Sequence, residues 1–342
     1  MKRVTYLLVF FVILGLLSGC AAPPTALDDE REERPDRLQP PIMDVEDINA
    51  EKQIPERPDQ VPSVAVPEAV VETLSFSWKE DSDSRIVDGS VPFVHRFKDG
   101  KVRLYYCKDE QILSAISKDG LTFTKEKGVR ISPGTGFEAH VCDPTLVDLP
   151  DGKMRMYYKG ANTMRPGPGS VHKIYSAISS DGLNFQKEGL RIDSEISGDK
   201  GWASVPDAIT LPDGRVRIYY VTNSEMPHGI ASAISSDGLY FTKEPGIRVS
   251  KLVDPALVRL DDKYVLFAAS IEEMSPRVPK GIYYLESSDG LKFGEPRAVF
   301  QTSGVYDPSV LKVDERTVRV FYGKVEPPQK PAVESYTGRI LE

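Results

Sequence analysis

Five aspartates recur at steps of about 50 residues, and each precedes a short apolar run. They are Asp88, Asp143, Asp207, Asp254 and Asp307. If these positions are equivalent in a repeat, their carboxyls converge on one place, where they cannot all ionise freely. One carboxyl acting as acid and another as base or nucleophile is the chemistry of glycosidic-bond hydrolysis. The same oxygens are also the ligands of a hard cation such as Ca²⁺.

A repeated turn indicates which elements carry these aspartates. The sequence Asp-Gly-Leu-x-Phe, called here the Asp-Gly-Leu motif, ends at Phe123, Phe185, Phe241 and Phe293. The same elements precede each copy in the same order. An apolar strand that follows the aspartate comes first, then a turn that is usually Asp-Gly, and then a strand similar to Arg-x-Tyr-Tyr. In most units a strand similar to Ser-Ala-Ile-Ser comes last. Asp-Gly between apolar alternations is a strong hairpin signal. A repeat of about 50 residues built from short strands predicts an all-β fold, the β-propeller.

The number of units predicts five blades of four strands. The fifth unit reaches Glu342 without an Asp-Gly-Leu motif, whereas Leu74-Ser75-Phe76 matches the Leu-x-Phe part of that motif. We therefore expect the segment near Val71–Trp78 to supply the outer strand of the last blade and to close the ring, which leaves no open edge. The alternative is an open five-unit solenoid.

The N-terminus predicts export. Lys2-Arg3, an apolar run from Tyr6 to Leu17 and a following small-residue segment are typical of a signal peptide over residues 1–19. Leu17-Ser18-Gly19-Cys20 resembles the lipobox of bacterial lipoproteins, which implies acylation of Cys20, a membrane anchor and a location in the bacterial cell envelope. A plain cleaved signal with an incidental cysteine is the alternative.

Residues 20–70 form a predicted disordered tether, and residues 71–342 the predicted propeller. Residues 21–70 hold 9 of the 27 prolines, 13 acids and 5 bases, a composition that cannot bury enough apolar surface to fold. The net charge of the chain is −8 and that of residues 71–342 only −2, so nothing indicates a nucleic-acid partner. Cys107 and Cys142 allow a disulfide in an exported protein, but we expect two buried free thiols.

Loops before two of the aspartates carry further candidates. In a propeller the first strands line a central channel, and the five aspartates precede these strands. Phe137 comes before Asp143 and Trp202 before Asp207. Each ring could present its face to a sugar or be wedged between blades. Glu138 and His140 lie in the same loop as Phe137 and could move a proton. The aspartates themselves could serve the fold, because Asp before Pro is a common turn initiator.

These residues together resemble the five-bladed propeller glycoside hydrolases, the superfamily of arabinanases, β-xylosidases (family 43) and invertase-like fructosidases (family 32). The resemblance covers Val71 to Glu342 and rests on the Asp-Pro strand openings, the Arg-x-Tyr-Tyr strands and the Asp-Gly-Leu motif. It implies that Asp88 is the base or nucleophile and that Asp207 orients or stabilises. The acid of that group is a Glu, and no matching motif occurs in this chain, which leaves Asp254, Glu138 or Glu225.

The resemblance implies a glycoside hydrolase that binds a glycan or oligosaccharide at the channel mouth. Asp143, Asp307, Phe137, His140 and Trp202 are then predicted to bind the substrate. No cofactor is required, although some members of the superfamily hold a metal near the channel, so a bound Ca²⁺ is a further hypothesis. The alternative is a non-catalytic propeller lipoprotein that binds a glycan or a protein, which the missing acid motif favours.

Overall fold

The computed structural model describes residues 73–81, 86–163, 167–225, 228–271, 277–325 and 330–341. In these ranges the chain is all-β, with five antiparallel sheets arranged as the blades of a propeller. The predicted signal peptide, Cys20 and the tether lie outside the described residues. No helix in the described ranges is long and apolar enough to cross a membrane.

Two strands precede the first complete blade, namely β1 (Phe76–Glu80) and β2 (Val87–Asp88). Blade one contains β3 (Ser90–Arg96), β4 (Val102–Lys108), β5 (Gln111–Ser117) and β6 (Thr124–Lys125). Blade two contains β7 (His140–Asp148), β8 (Met154–Ala161), β9 (His172–Ser179) and β10 (Gln186–Ile192). Blade three contains β11 (Ala203–Thr210), β12 (Val216–Thr222), β13 (Gly229–Ser235), β14 (Thr242–Lys243) and β15 (Val249–Ser250).

Blade four contains β16 (Val253–Leu260), β17 (Lys263–Ser270), β18 (Gly281–Ser287) and β19 (Arg297–Phe300). Blade five contains β20 (Val305–Asp314), β21 (Thr317–Lys324) and β22 (Ala332–Ile340), and β1 is its outer strand. The predicted closure by an N-terminal strand is confirmed, since β1 pairs with β22 from Phe76↔Ile340 to Glu80↔Tyr336. Trp78 on β1 packs against Phe267 and Tyr284 in the core between blades four and five.

A β-bulge opens the first strand of all five blades. Its first residue has a positive φ and is followed by proline; these residues, called the bulge residues below, are Val91, Asp143, Val205, Asp254 and Asp307. The register shifts at each bulge, as between Cys142 and Thr145. Positive φ is tolerated by aspartate but strained for a β-branched valine. The feature common to all five blades is therefore the bulge before proline, and aspartate occupies it in three blades.

Neighbouring blades are fastened by a contact that we call the clasp. In blades one to three the second strand supplies an arginine and a tyrosine, and the Asp-Gly-Leu motif of the next blade accepts their hydrogen bonds. Arg155 Nη1 donates to the Asp237 carbonyl at 3.0 Å and the Tyr157 hydroxyl to the Gly238 carbonyl at 2.8 Å. The motif's Phe241 then packs edge-on against Tyr157 at 5.5 Å between ring centroids.

Equivalent clasps join blade one to two and three to four, and blade five joins blade one through the arginine alone, because Phe321 replaces the tyrosine. Their arginine donors are Arg103, Arg217 and Arg319. Each clasp arginine in blades one to three is also held by a glutamate three residues beyond the motif's Phe, as Arg103 is by both oxygens of Glu126. That glutamate accepts a hydroxyl from the third strand as well, for example from Ser114. The repeat is therefore longer than the Asp-Gly-Leu motif and extends to this glutamate.

The seam between blades four and five lacks the clasp on both sides. Blade five has no Asp-Gly-Leu motif, and Val265 and Phe267 stand on β17 where blades one to three carry arginine and tyrosine. Hydrogen bonds to the backbone of Leu74 join the two blades instead. The Leu74 N–H donates to Glu286 Oε1 at 2.9 Å, and the Leu74 carbonyl accepts from Arg297 at 2.6 Å. The chain that closes the ring is thus held by side chains of blade four.

The clasp gives a stability prediction. Tyr157→Phe keeps the ring packing but leaves the buried Gly238 carbonyl without its donor, which should lower the free energy of unfolding by about 1–3 kcal/mol. Equilibrium urea denaturation measures this change. Tyr240→Phe is the matched control, because Tyr240 is 80% exposed and its change should stay within about 0.5 kcal/mol. Equal effects of the two substitutions would contradict the clasp.

Candidate functional site

The mouth of the central channel is lined by the five bulge residues. Contacts between first strands order the blades from one to five and back to one. Asp254 and Asp307 are therefore neighbours, and Asp143 in blade two stands opposite the seam between them. The two valines complete the ring. The prediction that several of the five aspartates converge at one mouth thus holds for three of them.

Asp254 and Asp307, on adjacent blades, form a pair linked through the backbone of Asp307. Asp254 Oδ2 accepts the Asp307 backbone N–H at 3.2 Å, and Asp254 is buried. Burial raises the pKa of Asp254 to about 7, against the effect of that hydrogen bond and with a further contribution from Asp143. Burial also raises the pKa of Asp307 well above its usual value, and the charges of Asp254 and Asp143 add to it. Near neutral pH the pair therefore holds a proton.

The carboxyl of Asp307 is the least engaged of the three. Within the described residues it accepts no hydrogen bond, and Asp307 is only partly buried. By contrast, Asp143 Oδ2 accepts from Lys159 Nζ at 2.8 Å and from the Val205 backbone N–H at 3.3 Å. Asp307 is thus the carboxyl that remains open to a ligand.

Lys159 places an ammonium among these carboxyls, and it was not predicted from the sequence. It lies near the end of β8, opposite Cys142 in the register, with its side chain 20% exposed. Burial alone would lower the pKa of Lys159, but Asp143 and, more weakly, Asp307 and Asp254 outweigh burial and raise it. The signal in the sequence is a charged residue directly after a buried Tyr-Tyr pair.

Asp207 lies one layer deeper than the bulge residues. It follows Pro206, so its equivalents are Thr145 in blade two and Ser309 in blade five, and the expected equivalence with Asp143 is wrong. Asp207 Oδ1 accepts the Thr145 hydroxyl at 3.0 Å and Oδ2 the Leu257 backbone N–H at 2.6 Å. Burial raises its pKa to about 7. Both oxygens of Asp207 hold neighbouring blades together.

Asp88 does not open the first strand of blade one. It lies on β2, which pairs with β22 of blade five, and the opening position in blade one belongs to Val91. Its carboxylate is 46% exposed and lies 3.9 Å from Lys125 Nζ. The expectation that Asp88 matches the channel aspartates in position is therefore wrong, because the repeat aligns on the residue before proline.

The side chains of Glu138 and Phe137 contact other residues of blade two and not the bulge residues. They belong to a short 3-10 turn, Gly136–Glu138. Glu138 Oε1 accepts the Tyr158 hydroxyl at 2.7 Å and pairs with Lys187 Nζ at 2.9 Å. The Phe137 ring lies 4.2 Å from the Lys173 ammonium, a cation–π contact. These contacts attach the loop to blade two and engage Glu138 there rather than with the carboxyl pair.

Trp202 is a wedge between blades two and three. It is 7% exposed, and its ring lies between the imidazoles of His172 and His228, at centroid distances of 4.3 and 5.2 Å. The expectation that Trp202 offers an open ring face to a sugar is therefore wrong, and the alternative of a wedge between blades is correct. His172 Nδ1 lies 2.9 Å from Ser204 Oγ. Burial and, less strongly, Lys159 lower the pKa of His172 to about 3, so this imidazole is neutral.

Two other predicted residues lie at the periphery. His140 begins β7 and pairs with Glu110 of blade one, with 2.7 Å between Nδ1 and Oε2. Glu225 is exposed in the loop after β12. The structure therefore gathers Asp143, Asp254 and Asp307 and does not gather Asp88, Glu138 or Glu225 with them.

Cys107 and Cys142 form a disulfide, so the expectation of two free thiols is wrong. The bond joins β4 of blade one to β7 of blade two, because Cys107, the residue before the last of β4, lies beside the bulge that follows Cys142. Asp143 N–H points to Cys107 Sγ at 3.3 Å. The disulfide therefore fixes the backbone of a channel aspartate.

The donors at the mouth do not fit a hard divalent cation. Among the described residues, one group of potential ligands is close enough together, and it consists of Asp143 and the two cysteines of the disulfide. The Asp143 oxygen is taken by the Lys159 ammonium, and an Asp254 oxygen by a backbone N–H. A Ca²⁺ ion needs several free oxygens and would meet this ammonium.

The described part of the chain has the fold of five-bladed propeller glycoside hydrolases, as the resemblance implied. No protein-family model and no curated protein matches the sequence. A solved protein of unknown function from Dyadobacter fermentans is similar, with a TM-score of 0.53, 17% identity and coverage of 77% of this chain and 98% of that one.

Two glycoside hydrolases are also similar in structure. A thermostable family-43 glycoside hydrolase has a TM-score of 0.56 and 17% identity over 76% of this chain and 91% of its own. Zg3597, a family 117 glycoside hydrolase from Zobellia galactanivorans, has a TM-score of 0.59 and 16% identity over 78% and 90%. At these identities the likeness concerns the fold.

The raised pKa of Asp254 predicts a pH dependence of stability. The folded state keeps a proton that an unfolded aspartate releases near pH 4. Stability is therefore full below about pH 4 and falls as pH rises toward 7, by up to about 1.4 kcal/mol per pH unit. Asp254→Asn removes this proton while its amide oxygen can still accept the Asp307 N–H. Urea denaturation over this pH range should show a flatter decline for Asp254→Asn than for the wild type.

Asp237→Asn is the control for this measurement. The backbone N–H groups of Tyr240 and Leu239 lower the pKa of Asp237 to about 2. Its stabilising contribution is present above about pH 4 and is lost as pH falls toward 2, which is the opposite direction. The decline between pH 4 and 7 should therefore match the wild type in this variant. An unchanged decline in Asp254→Asn would contradict the protonated carboxyl pair.

Proposed function

We propose that this protein acts on a glycan at the channel mouth and hydrolyses a glycosidic bond there. The observation that carries the proposal is the Asp254–Asp307 pair. The Asp254 carboxyl accepts the Asp307 backbone N–H, and both carboxyls have raised pKa values, so the pair holds a proton near neutrality. A carboxylic acid kept protonated by its surroundings is the general acid that glycoside hydrolysis needs. The expectation of Asp254 as the acid is retained in this proposal.

Each channel carboxyl has a role in the proposed reaction. The pair delivers its proton to the leaving oxygen and regains one from the water that attacks the anomeric carbon. The Asp307 oxygen that accepts no hydrogen bond from the described residues contacts the substrate. Asp143, ion-paired with Lys159 on the opposite wall, faces the positive charge that develops on the sugar ring. Asp207, whose oxygens both hold neighbouring blades, keeps the walls in place.

The comparisons support the substrate class. The similar structures include the family-43 and family 117 glycoside hydrolases, and an exo-β-1,3-galactanase from Phanerochaete chrysosporium solved with β-1,3-galactotriose, at a TM-score of 0.60 and 9% identity. We propose from this likeness that the partner of the present propeller is also a glycan.

A second candidate is a propeller that binds glycans without cleaving them. Two observations favour it. Val91 occupies the place in blade one where the resemblance implied a base, and the carboxylate of Asp88 is exposed beside Lys125. In addition, the channel aspartates already serve as hydrogen-bond acceptors between blades. Turnover of a substrate decides between the two candidates.

Substitution of Asp307 tests the hydrolase. On a panel of aryl pyranosides and furanosides, Asp307→Asn should lower kcat by about 10²–10⁴-fold, because it removes an acid–base carboxyl. Asp88→Asn is the matched comparison and should keep wild-type turnover. Loss of activity in Asp88→Asn with retention in Asp307→Asn would return the catalytic role to Asp88. Binding on a glycan array without turnover of any substrate would establish the non-catalytic alternative.

We further propose that the propeller is an exported lipoprotein anchored in the bacterial cell envelope through Cys20. The signal-like N-terminus supports export. The disulfide between Cys107 and Cys142 supports it independently, since structural disulfides persist in oxidising compartments. A Pro-rich acidic tether of 50 residues would let the propeller reach glycans away from the membrane surface.

Acylation of Cys20 is tested in bacteria. The chain should incorporate a fatty-acid label and sediment with membranes, and Cys20→Ala should abolish the label and release the protein, since the acyl chains supply the membrane affinity. Cys107→Ala/Cys142→Ala is the cysteine control and should retain the label. A wild-type chain that carries no label would contradict the anchor, and membrane association of an unlabelled chain would indicate an uncleaved signal segment.

A further inference from the structure

Blade five carries an aromatic residue at a position of the mouth where the other blades carry none. Tyr306 is the residue before the bulge, and its equivalents in blades one to four are Ser90, Cys142, Ser204 and Val253. Tyr306 is paired in register with Gly323. A Cβ atom at Gly323 would lie 2.7 Å from Cε2 of the Tyr306 ring, closer than two carbon atoms can approach. The absence of a side chain at Gly323 therefore makes room for the ring against β21.

The Tyr306 side chain is not used by the packing of blade five. Among the described residues, the ring belongs to neither of the hydrophobic clusters that adjoin this blade, and Tyr306 is partly exposed. Its hydroxyl makes no hydrogen bond to any described residue, and burial raises the hydroxyl pKa, so it stays protonated. A tyrosine hydroxyl that is shielded from water usually has a partner. Both the ring and the hydroxyl of Tyr306 are therefore available to a ligand.

The space beside Tyr306 lies at the seam between blades four and five. Tyr306 directly precedes Asp307, the carboxyl that accepts no hydrogen bond from the described residues. A cavity of about 140 Å³ opens at this seam between Ser270 and Lys280 of blade four and Tyr306 of blade five. Sites that bury a whole drug-sized ligand measure about 300–1,000 Å³. This cavity therefore suits a single sugar ring or part of one.

We propose that Tyr306 is the aromatic platform of this mouth, on which the apolar C–H face of one sugar ring stacks beside the Asp307 carboxyl. The face of an aromatic ring is the apolar surface that such stacking requires. Tyr306 then has the role that was expected of Trp202. The inference rests on the proposed binding of a glycan, and it is the same whether the glycan is cleaved or only bound. Tyr306 is a binding residue in it and transfers no proton.

Titration calorimetry of the full chain with β-1,3-galactotriose, xylotriose and arabinotriose measures this binding. For an oligosaccharide that the wild type binds, Tyr306→Ser should raise Kd by about tenfold or more, as truncation of a central aromatic contact does. The fold accepts serine at the equivalent position of blades one and three. Tyr306→Phe keeps the ring and should bind more tightly than Tyr306→Ser. Tyr240→Ala is the matched control, because it removes an 80% exposed tyrosine ring outside the mouth, and its Kd should equal that of the wild type.

Gly323→Ala tests the position of the ring without changing Tyr306 itself. Its methyl group displaces the ring, so this variant should also raise Kd, and it should have no further effect in a Tyr306→Ser background. Gly160→Ala is the control for strain, since its Cβ would also lie 2.7 Å from a tyrosine ring, that of Tyr175 in blade two. It should lower the melting temperature and leave Kd unchanged.

Each outcome decides the proposal. A Tyr306→Ser variant that binds as tightly as the wild type overturns it and leaves the proposed glycan binding intact. An equal effect of Gly323→Ala with and without the Tyr306 ring also overturns it. A wild type that binds none of the three oligosaccharides overturns both proposals, whereas binding that depends on Tyr306 without turnover contradicts the hydrolase alone. If Tyr306→Ser does not fold, Tyr306→Leu replaces it, and failure of both to fold overturns the proposal, because Tyr306 is then a core residue.

Discussion

The backbone N–H that each bulge removes from its strand ladder needs an acceptor near the propeller axis. Three of these groups find one in the preceding blade, where Cys107 Sγ accepts from Asp143, Asp143 from Val205 and Asp254 from Asp307. One layer deeper the same device recurs with Thr145, Asp207 and Ser309 as acceptors for the next blade. The axis of this propeller is therefore polar because its strand openings leave backbone groups to be satisfied there. The carboxyls of the candidate site are part of that solution.

The outer parts of the blades depend on a second, separate set of contacts. Clasp donors and Asp-Gly-Leu motifs occur together at four seams, and both are missing at the seam between blades four and five. A buried clasp arginine without the carbonyl acceptors of the Asp-Gly-Leu motif would be costly, which explains why the two are present or missing together. At the exceptional seam the backbone of Leu74 is held by Glu286 and Arg297. The point where the chain closes the ring thus has contacts of its own.

The sequence repeat was sufficient to predict the fold, but it led to wrong positions for two of the predicted site residues. The period, the hairpin turns and the match of Leu74-Ser75-Phe76 to the motif were sufficient for five blades and their closure. Aligning the units on aspartate assigned Asp88 and Asp207 to the mouth, whereas the register follows the proline of each bulge. Lys159 occurs in one blade only, so periodicity gave no signal for it. The disulfide depends on the approach of two blades, which sequence spacing does not report.

A carboxylate oxygen that accepts a hydrogen bond from a neighbouring blade is not free to contact a substrate. Asp207 uses both of its oxygens for neighbouring blades, and one oxygen of Asp143 is shared by Lys159 and Val205. Asp254 gives one oxygen to the next strand. Asp307 gives none within the described residues, and its neighbour Asp254 has a pKa raised to about 7. Whatever chemistry this channel performs is therefore expected to begin at the seam between blades four and five, where the fold leaves a carboxyl unused.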